Sequence, residues 1–371
     1  MKLRKKIVIC GVLIYAFVKI IMVFSINTNM PTFDDDAVNE WDLKTKVFST
    51  NLNLVLDKTN PEYFGTNYGR YPFAGILDTY FLLPYGGFVN GLSNIISSLM
   101  YCFALLLLFG IFLRKTNIFI AALSLYLFSS LPFVFIHGVG AYRNFPAGVF
   151  LFMFVFYLID QLFHLEKDYG GNTKILLPIV LIGFISSVVR NEGVMLTGIT
   201  FLTIIVSYHI LKKGRIKELR YQLFPLIPVI LGYIINKIIF SFYPTGSLIN
   251  TGGTQVNAKL LDSFFVNVST PGVFIAPFQQ MFYHPDYLLL FWLFLVSSLL
   301  FFFGYKKFKQ YRIFAIVIFS LLAIFLFILY ANLGLGLLTH FAFTRYPVSI
   351  ILFLIYFICS IVYVAHEYKK S

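Results

Sequence analysis

Charge is scarce in this chain, and negative charge scarcer still. Asp, Glu, Lys and Arg make up 12% of the 371 residues, with 16 acids against 29 bases. Soluble domains carry about a quarter charged residues, so a water-soluble globule is excluded as the simple reading. Cysteine is nearly absent. Cys10, Cys102 and Cys359 each fall inside a long apolar run, which excludes a disulfide framework and a paired-thiolate metal site. No internal repeat or low-complexity tract is present. The basic start, Met1 to Lys6, precedes an apolar run to about Ile26 that has no small-x-small cleavage site after Phe24, so it reads as a retained anchor rather than a signal peptide.

What is present is apolar: 59% hydrophobic residues, with aromatics at 19%. Runs of about 20 residues recur, each long enough to cross roughly 30 Å of hydrocarbon. The spacing predicts an all-α polytopic membrane protein with about ten spans, forming one integral membrane domain over 1–371. The spans fall at 7–26, 91–113, 118–136, 145–163, 175–189, 194–211, 221–241, 287–304, 313–331 and 346–364. With both termini cytoplasmic, the inner segments hold nineteen basic residues and the outer ones eight, while Lys19 and Lys237 remain within spans. That bias satisfies the positive-inside rule, so the net charge of +13 is a topology signal and no nucleic-acid partner is expected.

The fifth and sixth spans are the least regular, because Arg190-Asn191-Glu192-Gly193 interrupts them; a single re-entrant element is the alternative. Two outer loops are long, 27–90 and 242–286. In the first, Thr32 followed by Asp35 resembles a capping box, and Val38, Trp41, Phe48, Leu52 and Val55 recur as on a surface-lying amphipathic helix. The second reads as a mobile Gly, Thr, Ser and Asn segment at 245–254 over a re-entrant apolar piece with Pro271 and Pro277.

Asp34-Asp35-Asp36, just past the first span, is the sharpest candidate for chemistry. Crowded carboxylates raise one another's pKa and suit a general base or a cation site, whereas the plain reading is a helix first turn complementing its macrodipole. Ionisable and aromatic residues at other outer span ends form a second group: Arg70 and Tyr71, His137 and Arg143, Arg190 and Glu192, His340, Arg345 and Tyr346. Guanidinium groups fork onto phosphate oxygens, so several converging would hold a lipid phosphate or pyrophosphate. Their plain reading is snorkelling to the interface or local pairing, as of Arg190 with Glu192. Lys19 and Asp160 read as snorkelling or paired; Lys237, in the outer half of its helix, points toward the outer side. The sequon Asn267-Val268-Ser269 carries no weight alone.

In order and motif the chain resembles the membrane-embedded glycosyltransferases of the C-type fold, the superfamily of protein mannosyltransferases and aminoarabinose transferases. The resemblance rests on Asp34-Asp35-Asp36-Ala37 followed by Trp41 and Lys44-x-Lys46, on Tyr71-Pro72, on Gly183 through Arg190-Asn191-Glu192-Gly193, and on Arg345-Tyr346-Pro347. It implies a sugar donor on a polyprenyl phosphate, an acceptor that is a glycan, lipid or protein, and inverting transfer on the outer face. One of Asp34, Asp35 and Asp36 would be the base, and Arg70, Arg143, Arg190 and Arg345 would hold the leaving phosphate. Asp34 and Asp36 could also hold Mg²⁺ or Mn²⁺, which stays unassigned. Enrichment in Phe, Ile, Lys, Asn and Tyr suggests an AT-rich bacterial genome, hence a bacterial plasma membrane and an undecaprenyl carrier. Two other classes stay open: a transporter or lipid flippase of the cell envelope, and a polysaccharide polymerase or other glycan-assembly protein of different fold.

Overall fold

A computed structural model describes residues 3–30, 45–46, 49, 80, 82–89, 92–140, 144–165, 176–189, 193–212, 226–241, 258–332 and 347–368. Among them there is no strand, and the helices are α1 (Leu3–Asn29), α2 (Ile95–Lys115), α3 (Ile118–Ser130), α4 (Pro132–Val139), α5 (Asn144–Leu165), α6 (Leu176–Val188), α7 (Gly193–Lys212), α8 (Ile227–Ser241), α9 (Ala258–Ser269), α10 (Pro271–Tyr283), α11 (Leu290–Phe303), α12 (Arg312–Asn332) and α13 (Ile351–Tyr368). Six described helical stretches are long and apolar enough to cross a bilayer, at 3–29, 95–115, 144–162, 193–211, 309–331 and 347–367. Each expected span coincides with a helix, but three are short, Leu177–Val188, Ile227–Ser241 and Leu290–Phe303, and one is broken.

The broken one is the third. Its two halves, α3 and α4, bend by 70°, and the cause is local. Pro132 has no N–H and pushes the residue before it out of the helical region; Leu131 accordingly sits at φ −75°, ψ 116°. At the other end of α3 the Asn117 side chain accepts from the Phe119 and Ile120 N–H groups at 3.0 and 3.1 Å, a side-chain N-cap that allows a tight turn after α2.

The chain divides into two compact units: Met1–Val23, Met100–Gly138 and Val256–Ser371 form one, and Phe24–Leu99 and Val139–Gln255 the other. In the first, aromatic rings make the core. Phe294 and Phe301 of α11 both pack on Phe357 of α13, with centroids 5.6 Å apart, and Phe314 of α12 meets Tyr356 of α13 at 4.5 Å. Offset and edge contacts of this kind add to area burial, which explains the use of so many phenylalanines. The apolar stretch around Pro271 and Pro277 is helical, as α9 and α10 separated at Thr270. Phe264 of α9 and Phe274 of α10 flank Tyr330 of α12 at 6.2 and 5.9 Å. The Asn267 amide donates to the Tyr330 carbonyl at 2.7 Å, so the sequon asparagine is a packing residue.

The second unit is built on α6. A Cβ on Gly183 would lie 3.5 Å from Pro228 Cγ, and one on Gly232 would lie 2.9 Å from Ser187 Cβ. Both contacts advance by one helical turn together, so α6 and α8 run parallel. Between them in sequence α7 returns antiparallel to α6: Ser186 Oγ and Thr197 Oγ1 are 2.9 Å apart, and a Cβ on Gly193 would meet the Ser186 carbonyl oxygen at 2.4 Å. Small residues and hydroxyls at these crossings let backbones approach where no hydrophobic force favours helix over lipid. Residues 176–188 and 193–212 are therefore two packed antiparallel helices, and the up, down, up order of α6, α7 and α8 is compatible with the alternation read from the basic residues.

Candidate functional site

The acidic loop leaves α1 and returns into α2, and the structure ties these two points together. Asn27, only 4% exposed, donates its amide to Ser98 Oγ and, at a long 3.5 Å, to the Asn94 carbonyl oxygen. Asn94, Ser97 and Ser98 are buried as well. The Asn27 amide bonds thus close the base of the segment that carries Asp34, Asp35 and Asp36. Just before it, Thr28 donates to the Phe24 carbonyl at 2.9 Å and Asn29 donates to the Ser25 carbonyl at 2.8 Å, so the last turn of α1 is held by its own side chains.

Asp34, Asp35, Asp36, Arg70, Tyr71, Arg143, Arg190, Glu192, His340, Arg345 and Tyr346 lie outside the described residues, as does the expected amphipathic run from Val38 to Val55 save for Thr45, Lys46 and Ser49. What is described is where the chain enters and leaves them. Met30 and Leu92 bracket the first loop, Asn144 opens α5 directly after Arg143, and Val189 and Gly193 bracket Arg190 to Glu192; all these flanks belong to the second unit. Asn144 is buried at 1% exposure, so the start of α5 is a packed position rather than a free end. The flanks of His340, Arg345 and Tyr346, which are Asn332 and Pro347, belong to the first unit.

His137 is the one expected site residue that is described. It sits on α4, 3% exposed, and its neighbour Gly138 packs on the ring of Tyr101, where a Cβ would come within 2.9 Å. It lies in the last turn of α4, at the span end where it stands in the sequence reading. Sequence reasoning missed a second histidine of the same unit. His284, 9% exposed, accepts the Asp286 N–H on Nδ1 at 3.2 Å and caps the turn Pro285–Tyr287. The Asp286 carboxylate lies 3.5 Å from the same nitrogen. The signal was His-Pro-Asp-Tyr at a span start, hidden inside a stretch read as loop. Among the described residues no group of three or more His, Cys, Asp or Glu could hold a metal ion.

Long apolar helices, small-residue crossings and aromatic seams define a polytopic α-helical integral membrane protein. No protein-family model and no curated protein matches the chain. Among solved structures it is similar to the crystal structure of ArnT from Cupriavidus metallidurans in the apo state, at a TM-score of 0.47 and 10% identity, covering 96% of this chain and 78% of that one. At that identity and score the likeness assigns no activity.

Proposed function

We propose that the chain is a glycosyltransferase that moves a sugar from a polyprenyl-phosphate carrier to an acceptor on the extracytoplasmic face, with inversion. The observation that carries this reading is the placement of three consecutive carboxylates, Asp34 to Asp36, a few residues beyond a helix end that is clasped by Asn27 to the start of α2. A base must be held near its substrate, and a loop closed at its foot by a buried amide supports such holding. One of the three carboxylates takes the acceptor's proton as its oxygen or nitrogen attacks the anomeric carbon. The bond from that carbon to the phosphate oxygen breaks, and its electron pair leaves with the lipid phosphate. Arg70, Arg143, Arg190 and Arg345 are the residues assigned to the charge that develops there.

The test uses purified protein, a panel of radiolabelled polyprenyl-phosphate sugars and single Asp34→Asn, Asp35→Asn and Asp36→Asn variants. One variant is expected to lose about 10²- to 10⁴-fold in transfer rate while inserting and purifying normally. If all three retain full activity, or no donor is consumed by the unmodified protein, the reading fails. The bent pair α3 and α4 favours a second reading, a lipid transporter, because broken helices line the substrate paths of such proteins. Donor-independent lipid flux in proteoliposomes, undiminished in the three aspartate variants, would select it.

A further inference from the structure

The connection from α11 to α12 runs Gly304-Tyr305-Lys306-Lys307-Phe308-Lys309-Gln310-Tyr311 and meets Arg312 at the first position of α12. Four cations stand within these last seven residues, and no Asp or Glu occurs in sequence between Asp286 and Glu367. Among the described residues no acid pairs with Lys306, Lys309 or Arg312. The start of a helix is the positive end of its macrodipole and favours acids, yet α12 has none in its first turn. The opening turn of α12 therefore adds to the positive potential of the connection instead of offsetting it.

These cations ride on a folded turn. The N–H groups of Gly304, Lys307 and Tyr311 donate to the carbonyls of Leu300, Gly304 and Phe308 at 2.9, 2.7 and 2.9 Å. Phe308 is 4% exposed and packs on Phe301 of α11 at 5.9 Å, and Tyr305 meets the same ring at 5.7 Å. Gly304 makes room for this, since a Cβ there would meet the Phe308 ring at 2.6 Å. At the far end the Arg312 guanidinium lies 3.8 Å from the centre of the Tyr305 ring, and its Nη2 donates to the Tyr305 carbonyl at 3.1 Å. Both ends of the turn are thus joined, and Lys306, Lys307 and Lys309 project from it as exposed residues. Cations mounted in this way bind an anion at a lower ordering cost than cations on a free chain. Charge bias across a bilayer requires only that bases lie on one side; it does not require a buried aromatic plug and an arginine clamp beneath them.

Immediately before the turn α11 ends in two exposed rings, Phe302 and Phe303, the latter 89% exposed. Apolar surface that passes directly into fixed cations matches a molecule with an apolar tail and an anionic head, whereas a soluble anion would leave the rings bare. We propose that the 304–312 turn is a binding surface for an anionic phospholipid, in the leaflet that the basic residues assign to the cytoplasmic side. Lys306, Lys307, Lys309 and Arg312 supply the charge for the headgroup, and Phe303 supplies contact for the start of the acyl chains. The surface is made by α11, α12 and their connection alone, and it stands whether or not the chain transfers sugar.

The full chain, purified in an uncharged detergent, is titrated with phosphatidylglycerol or phosphatidylcholine, and bound lipid is counted by native mass spectrometry. Phosphatidylglycerol binds more tightly. Changing Lys306, Lys307 and Lys309 together to Gln weakens it by about tenfold or more, on the scale of a severalfold contribution from each cation at a membrane surface, and the same three changed to Arg retain it. Because the three side chains are exposed, the melting temperature without lipid stays the same in both variants. Changing Arg4, Lys5 and Lys6 to Gln removes equal charge from the start of α1 and weakens binding less than about twofold, which separates a site from the effect of net charge. Phe303→Ser weakens phosphatidylglycerol severalfold, and millimolar glycerol phosphate, the headgroup without its chains, does not displace the lipid. Equal binding of the two lipids, equal losses in the two Gln variants, or displacement by glycerol phosphate would each overturn the proposal.

Discussion

At the scale of single residues the structure turns on a few polar or vanishingly small side chains in apolar surroundings. Asn27 is one. Replacing it with Leu removes the donor to Ser98 and strands buried acceptors, and the expected loss is about 1–3 kcal/mol, read as a lower melting temperature in detergent. If the aspartate loop does the chemistry, Asn27→Leu also lowers turnover without abolishing it, as a positioning residue does. Gly232 is another. A methyl there would overlap Ser187, whose Oγ would be 1.9 Å away, so Gly232→Ala is expected to destabilise by about 1–3 kcal/mol, with Ser187→Ala as a partial rescue. Both residues look unremarkable in sequence: an asparagine near a span end resembles loop composition, and a glycine in an apolar helix resembles filler. Only the partner across the helix crossing gives either one a role.

Helices are where the sequence reading went furthest and where its limits have a physical cause. Apolar runs of about 20 residues placed every span on a helix, because bilayer thickness imposes one length on all of them. What run length could not register was a break inside one span. Leu131 and Phe133 to Phe135 flank Pro132, and the missing N–H and the steric push on Leu131 turn the axis by 70°. Pro132→Ala is expected to reduce that angle, measured as a change in distance between spin labels at Ile118 and Ile136, which are both part-exposed or exposed. Within the loop at 242–286, the apolar piece with Pro271 and Pro277 is helical: Pro271 occupies a first-turn position that its ring suits, and Pro277 is tolerated within α10.

For the molecule as a whole, the testable quantity is sidedness. The parallel course of α6 and α8 with α7 between them in sequence agrees with alternate crossing, and the basic residues assign the direction. Lys46→Cys and Lys115→Cys, made in a background without the three native cysteines, should differ in labelling of intact cells by a membrane-impermeant maleimide. The first is expected to label and the second only after lysis; the reverse pattern would invert the topology and put the aspartates in the cytoplasm. The candidate site was legible as a list of residue types at one side of the spans, since charge is conspicuous against an apolar background. Its geometry was not, because no local pattern reports which loops converge.

The joint between Asn27 and the start of α2 bears on the order of biogenesis. Its partners are separated by 67 and 71 positions, and every atom it needs has been synthesised by the time the second helix leaves the ribosome. Drawing together the ends of so long a segment costs only slightly more than closing a short one, since that entropy rises with the logarithm of length. The first two described helices can thus pair in the membrane before the later described ones exist, joining the two ends of the acidic segment while the rest of the protein is still being made.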